Sequence, residues 1–184
     1  MIKSFSTLAL ISLLILSCDK QEATEIAIIE ETPPPNILFV IADDMGKDAT
    51  PNYSEGQEKP QMPTLEMLAN SGITFDNVWA YPVCSPTRAS IITGKLGYHT
   101  GVLEVEQDIS LSEESLHDFV KSQSNRAYDT ALIGKWHLSN NITDPNSMGI
   151  DYFSGIIGGG VSSYTNWKEV TNGSRIDNTT YTTT

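Results

Sequence analysis

The chain has 184 residues, and 11 Lys plus Arg face 23 Asp plus Glu, a formal net charge of −12. So acidic a chain excludes general nucleic-acid binding, which draws its affinity from phosphate neutralisation, although a local cationic pocket for an anion stays open. An apolar fraction of 39% excludes a disordered chain, and two cysteines exclude an all-cysteine zinc site.

The first residues read as an address. Lys3 supplies a positive start, and Leu8 to Leu16 form an apolar run interrupted only by Ser12. The run is too short to span a bilayer comfortably. Ile15-Leu16-Ser17-Cys18 then resembles the lipobox of bacterial lipoproteins, with Ile15 where Leu is commonest. The resemblance implies a signal peptide over residues 1–17, cleavage before Cys18 and lipidation of its thiol. A plain secretory signal with an incidental cysteine is the alternative, and a disulfide between Cys18 and Cys84 stays open. Residues 18–35 form a tether, solvated by acidic side chains and stiffened by Pro33-Pro34-Pro35. The expected location is that of an exported bacterial lipoprotein, periplasmic or cell-surface, held to the membrane through its lipid.

The domain starts at Asn36 and takes in residues 36–184. Ile37 to Ala42 is a continuous apolar run rich in β-formers, the pattern of a strand buried on both faces. Pro63 to Asn70 reads as a helix with Leu65, Leu68 and Ala69 on one face and Ser71-Gly72 as its stop. Ile73 to Trp79 alternates as a short strand. Pro86 to Thr93 reads as a helix stopped by Gly94, and a further helix opens at Ser112 and runs to about Ser122. Thr130 to Leu138 is a second buried strand. Alternating strands and helices predict an α/β domain with a parallel or mostly parallel sheet. The threonine-rich end, through Thr184, has the pattern of a β-strand that is interrupted rather than finished.

Three clusters carry chemistry. Asp43-Asp44 follows the first strand, where ligands of open α/β sheets collect. Paired carboxylates there suit a hard divalent cation, and Gly46 lets the backbone turn. Taken alone, the pair equally suits capping or solvated aspartates. The second cluster is Cys84-Ser85-Pro86-Thr87-Arg88. Cys84 stands where a helix N-terminus favours an anion, and Arg88 lies about one turn further along. A buried free cysteine beside a surface arginine is the bland alternative, and a thiol nucleophile another. The third is Gly134-Lys135-Trp136-His137 at the end of the second strand. On extended backbone Lys135 and His137 point the same way, so a cation and an imidazole reach one anion; a strand end with a snorkelling lysine is the alternative.

Cys-x-Pro-x-Arg, continued by Ala89-Ser90-Ile91-Ile92-Thr93-Gly94, closely resembles the sulfatase signature. Tyr128 to His137 resembles that family's second signature, departing at Ala127, where glycine is usual. Met148-Gly149-Ile150-Asp151-Tyr152-Phe153-Ser154-Gly155 resembles the segment that follows. Their order is the family's layout, and the likeness covers about residues 36–184. It implies the alkaline-phosphatase-like α/β fold, a mixed, mostly parallel sheet flanked by helices, incomplete in this chain.

The resemblance also implies a chemistry. Cys84 is oxidised to formylglycine by a separate maturation enzyme, and the hydrated aldehyde attacks the sulfur of a sulfate ester. Asp43, Asp44 and residue 84 hold a divalent metal, calcium ahead of magnesium. Lys135 binds sulfate oxygens together with His137, which also hydrogen-bonds the nucleophile, and Arg88 adds positive charge. The expected function is a sulfuric ester hydrolase acting on sulfated carbohydrates. The family's further metal ligands, second histidine and second lysine lie beyond this segment, so the chain is expected to be an amino-terminal fragment, inactive alone. Two other readings stand beside it: a formylglycine-type phosphonate or phosphodiester hydrolase, and a non-catalytic glycan-binding lipoprotein. His99 and His117 read as structural, and Gly158-Gly159-Gly160 as a flexible loop.

Overall fold

The structure is a computed structural model that describes residues 33–179. The signal peptide, Cys18, most of the tether and the terminal threonines therefore lie outside the described residues. All the elements belong to the unit Asn36–Thr184.

Four strands form one mixed sheet in the order β1-β2-β3-β4: β1 Ala131–Lys135, β2 Tyr152–Ile156, β3 Trp167–Thr171 and β4 Ser174–Asn178. β1 and β2 are parallel, from Ala131 opposite Tyr152 to Lys135 opposite Ile156. Parallel neighbours need a crossover, and here it carries one helical turn, Asp144–Ser147. β2–β3 and β3–β4 are antiparallel. The last pair is a tight hairpin over Asn172-Gly173, where φ is +44° and +74°. Asn-Gly suits a turn with two positive φ values, whose twist matches that of the strands it joins. The threonine-rich end therefore begins with a completed hairpin.

Gly134 faces Gly155 across the parallel pair. A Cβ on Gly155 would stand 1.7 Å from the Gly134 carbonyl oxygen. The close approach requires glycine at 155, whereas a Cβ on Gly134 would meet nothing within 4 Å and it is the φ of +117° that calls for glycine there.

Four helices precede the sheet: α1 Pro63–Ser71, α2 Cys84–Thr93, the short α3 Gly97–Thr100 and α4 Leu116–Gln123; α5 is the crossover turn. α2 ends where the sequence places its stop: Gly94 adopts φ +66° and its N–H donates to the Ser90 carbonyl. α4 starts four residues later than expected, because Ser115 is its cap. The Ser115 hydroxyl accepts from the Asp118 N–H at 3.0 Å and donates to the Met148 carbonyl at 2.7 Å.

The core lies between α2 and the sheet. Ala89, Ile92, Trp136, Leu138, Phe153 and Val170 meet there, joined by Val102, Met148 and Ile150. Asp151 ties its rim together. Its carboxylate accepts from the Thr130 N–H and hydroxyl, both at 2.9 Å, and from Lys121 Nζ, also at 2.9 Å. These bonds link α4 to the starts of β1 and β2.

Two expected strands are not strands here. Residues 36–42 and 73–79 form no ladder with another described segment, and their apolar side chains face outward, from Ile41 at 40% exposed to Trp79 at 92%. Strand-forming composition calls for neighbours to take its N–H and C=O groups, and the described residues provide none. Helix α1 forms as expected, but none of its residues is buried. Within the sheet the expected strand over Thr130–Leu138 is pared to Ala131–Lys135, because a left-handed residue at His137 (φ +54°) breaks the extended run.

Candidate active site

Cys84 is the first residue of α2. Val83 before it is extended (φ −138°, ψ 157°), and no side chain caps the helix, so backbone N–H groups of the first turn are left to face an anion. Thr87 holds the approach to this turn. Its hydroxyl pairs with the Val83 carbonyl at 2.9 Å, and it accepts from the Tyr81 N–H at 3.1 Å. Ser85 is buried and donates to the His137 carbonyl at 2.9 Å, bolting the start of α2 to the end of β1.

The β1–β2 hydrogen bonds run on past the strand. Trp136 N–H donates to the Ile156 carbonyl and His137 N–H to that of Ile157, each at 2.9 Å. With its backbone fixed, His137 presents Nδ1 to Cys84 Sγ at 3.1 Å. Lys135 and His137 therefore converge on the same place, not by strand alternation but because the left-handed turn at His137 redirects its ring.

Arg88, one turn beyond Cys84, donates from Nη1 to the Lys135 carbonyl at 2.6 Å. Its Nη2 lies 3.7 Å from Asp43 Oδ2, the oxygen that Lys135 Nζ reaches at 2.8 Å. Two cations, with 11% and 13% of their side chains exposed, thus share one carboxylate. The cluster carries a surplus positive charge, and Arg88 Nε is buried without a partner. A fixed guanidinium fork beside an ammonium and a helix N-terminus is an arrangement for binding an oxyanion.

The charges act on one another. Partial burial works to raise the Asp43 pKa, but the hydrogen bond from Lys135 and the charges of Lys135, Arg88 and His137 outweigh it, holding the carboxyl below its ordinary value. Burial, then the Lys135 and Arg88 cations, push the His137 pKa down. The imidazole is therefore neutral at neutral pH and able to take up a proton.

Of the residues singled out in the sequence, the structure brings Cys84, Arg88, Lys135, His137 and Asp43 into one cluster. Asp44 follows in left-handed backbone (φ +56°) and is exposed; it forms no hydrogen bond or ion pair among the described residues. Those residues contain no group of three or more His, Cys, Asp and Glu able to hold a metal ion. Asp43 is taken up by two cations, so the side chains present do not make up a complete metal site. His99 lies against the Tyr98 ring, with 3.9 Å between centroids, and takes no part.

Ser85, Thr87 and Gly159 carry no assignment in the sequence, yet all three shape the site. Two hydroxyl residues at the start of a helix are a local signal for backbone anchoring. Gly159 belongs to the triglycine, and here that loop is a wall of the site: a Cβ on Gly159 would meet His137 Cε1 at 2.7 Å.

Comparison with known proteins agrees with this geometry. The family model "Sulfatase" matches residues 35–183. Mouse arylsulfatase G is 36% identical over 132 residues, 67% of this chain and 24% of that protein. The N-acetylglucosamine-6-O-sulfatase of Bacteroides thetaiotaomicron is 37% identical over 126 residues, 68% of this chain and 21% of that protein. The solved structure of BT4656 in complex with its substrate D-glucosamine-2-N,6-O-disulfate superposes with a TM-score of 0.64 at 29% identity, over 80% of this chain and 28% of that one. The chain belongs to the sulfatase family, and its sheet and helices are part of that family's alkaline-phosphatase-like domain. It spans about a quarter of the length of the curated relatives it matches.

Proposed function

We propose that this chain is the nucleophile-bearing part of a sulfuric ester hydrolase acting on sulfated carbohydrates. The observation that carries it is the meeting of Cys84, His137, Arg88 and Lys135 around one anion-binding place. The carbohydrate class is supported by the relative named for a sulfated sugar and by the glucosamine disulfate complex.

Conversion of Cys84 to formylglycine supplies a hydrated aldehyde whose hydroxyl is the nucleophile toward sulfur. The chain's own residues do the rest. Arg88 and Lys135 orient the sulfate and stabilise the charge that grows on its oxygens. His137, neutral at neutral pH, exchanges a proton with the heteroatom at position 84 through Nδ1. Ser85 and the first turn of α2 keep that position in line with the imidazole. Asp43 and Asp44 offer carboxylates of the kind calcium or magnesium takes, calcium ahead of magnesium, but without a complete ligand set no step is assigned to a metal.

The protein is proposed to leave the cytoplasm as a lipoprotein anchored through Cys18, to be matured by a formylglycine-generating enzyme, and to work only within a longer polypeptide. Mass spectrometry of the Cys84 peptide from protein made in its natural host tests the nucleophile, alongside release of sulfate and phosphate from matched sugar esters. Conversion with sulfate release is expected. Preferred phosphate release would favour the phosphonate or phosphodiester reading, and an unconverted Cys84 with retained glycan binding would overturn catalysis.

A further inference from the structure

A cleft of the described residues lies not at Cys84 but beside it. It measures about 510 Å³, in the range of small-molecule sites. Gly158 and Gly160 belong to its lining, as do Asn166, Trp167, Lys168 and Arg175, with apolar residues of β2 and β3 beneath. A smaller hollow at His137 shares Gly158 with it. Both open where β1 and β2 end, the end of parallel strands at which ligands gather.

The two hollows differ in charge. Beside His137 the lining includes Glu106 and Asp108 and no lysine or arginine. The larger cleft carries Lys168 and Arg175 and no acidic residue. The hairpin register puts both cations on one face of the sheet: Val170 pairs with Arg175, and Lys168 stands two positions from Val170. Asp177 stands opposite Lys168, yet among the described residues neither cation forms an ion pair or a side-chain hydrogen bond. In a chain of net charge −12, two cations without a protein partner in one cleft make a positive place that complements an anionic occupant. His137 is bonded to the end of β2, and β3 is the next strand, so Lys168 lies about 10 Å away by strand spacing. That is within the span from a sulfate on one sugar ring to a charged substituent on the next.

We propose that this cleft is a subsite for an anionic sugar residue, carrying a carboxylate or sulfate, linked to the sugar whose sulfate ester reaches Cys84. Trp167 offers an aromatic flank to the ring, and the bare backbone of Gly158 and Gly160 leaves room for the linkage; a Cβ at either would meet nothing within 4 Å. The inference rests on the sulfatase reading of the Cys84 site and adds an acidic oligosaccharide to it as the substrate class.

Titration by calorimetry of the protein as made in its natural host, with three probes, tests it. The probes are glucosamine 6-sulfate, the same sugar linked to a uronic acid, and the same sugar linked to a neutral hexose. The uronate disaccharide is expected to bind about tenfold tighter than the other two, with the advantage shrinking as salt rises. Lys168→Gln combined with Arg175→Gln should remove the advantage and leave the monosaccharide affinity unchanged. Both side chains are exposed, so the variant should fold, and Lys168→Gln alone serves as the second variant, expected to lose part of the advantage. Equal affinity for all three probes, or an advantage that survives the double substitution, overturns the subsite alone. Failure to bind even the monosaccharide overturns the reading of the Cys84 site on which it rests.

Discussion

Lys135 Nζ donates to Asp43 Oδ2 at 2.8 Å across 92 positions of sequence, and Arg88 brings a second cation to the same oxygen. One carboxylate restrains two cations without neutralising both. The place between the two cations is therefore preorganised and keeps a net attraction for an anion. Asp43 is 44% exposed on its side chain, so water screens part of this attraction.

Substitutions at the two ends of that pair should act with opposite signs. Lys135→Met removes a donor and a charge, and the affinity of the chain for inorganic sulfate should fall about tenfold. Asp43→Asn releases both cations and should raise it. Calorimetric titration with sodium sulfate reads both, and a loss in both variants would mean that Asp43 positions the cations more than it competes with the anion.

Gly159 faces the His137 ring. In Gly159→Ala the new methyl would stand 2.7 Å from Cε1 and 2.8 Å from Nε2. The obstacle is a side chain that can rotate, so folding should survive while the imidazole leaves Cys84. Melting temperature should change little, and, on the proposed function, sulfate release should drop by about tenfold or more, as a misplaced proton-transfer group costs. Unchanged turnover would show that the ring tolerates the shift.

Much of the site is legible in the sequence and less of the fold. Cys84, Arg88, Lys135 and His137 are readable because they stand in motifs that resemble the family's signatures; the alternation expected to align Lys135 with His137 is replaced by a left-handed turn at His137. The stop at Gly94 and the α1 helix are readable because their signals are local. The segments 37–42 and 73–79 are not, since a strand is made by its neighbours and composition reports only a need for them. The β3–β4 hairpin had a local signal in Asn172-Gly173. The close register of Gly134 with Gly155 had none, because two isolated glycines do not announce that they face each other.

That register makes a stability test. Gly155→Ala would place a methyl 1.7 Å from a backbone oxygen held in a strand ladder. No rotamer relieves it, so β1 and β2 must separate. A loss of about 3 kcal/mol or more is expected, read as a lower urea midpoint at unchanged slope. Gly158→Ala, whose methyl meets nothing within 4 Å, should cost little by comparison.

Asp151 gives stability its acid dependence. The hydrogen bond from Lys121, together with those from Thr130, lowers its pKa from 3.8 to about 2. A depressed folded pKa means that the unfolded chain binds the proton more readily. The contribution is complete above pH 3.8 and is lost as pH falls toward 2. Asp151→Asn should lower the midpoint at pH 7, and its difference from the parent should narrow across that window. A difference that stays constant from pH 7 to pH 2 would place the bonds' value in geometry alone.

His117 on α4 works in a higher window. Burial pushes its pKa below 6.5, nearby Lys121 pushes it further, and Asp118 and Asp151 oppose; its Nδ1 is buried without a partner. The folded state thus resists the proton that the unfolded chain accepts near pH 6.5, so stability declines as pH drops below that value. His137 is shifted in the same direction and adds to the slope. His117→Leu removes one of the two proton sites and its unpaired ring nitrogen. It should flatten the decline between pH 7 and pH 5 without abolishing it, and should raise the urea midpoint more at pH 5 than at pH 8. An equal gain at both pH values would show that the substitution acts through packing and not through the proton.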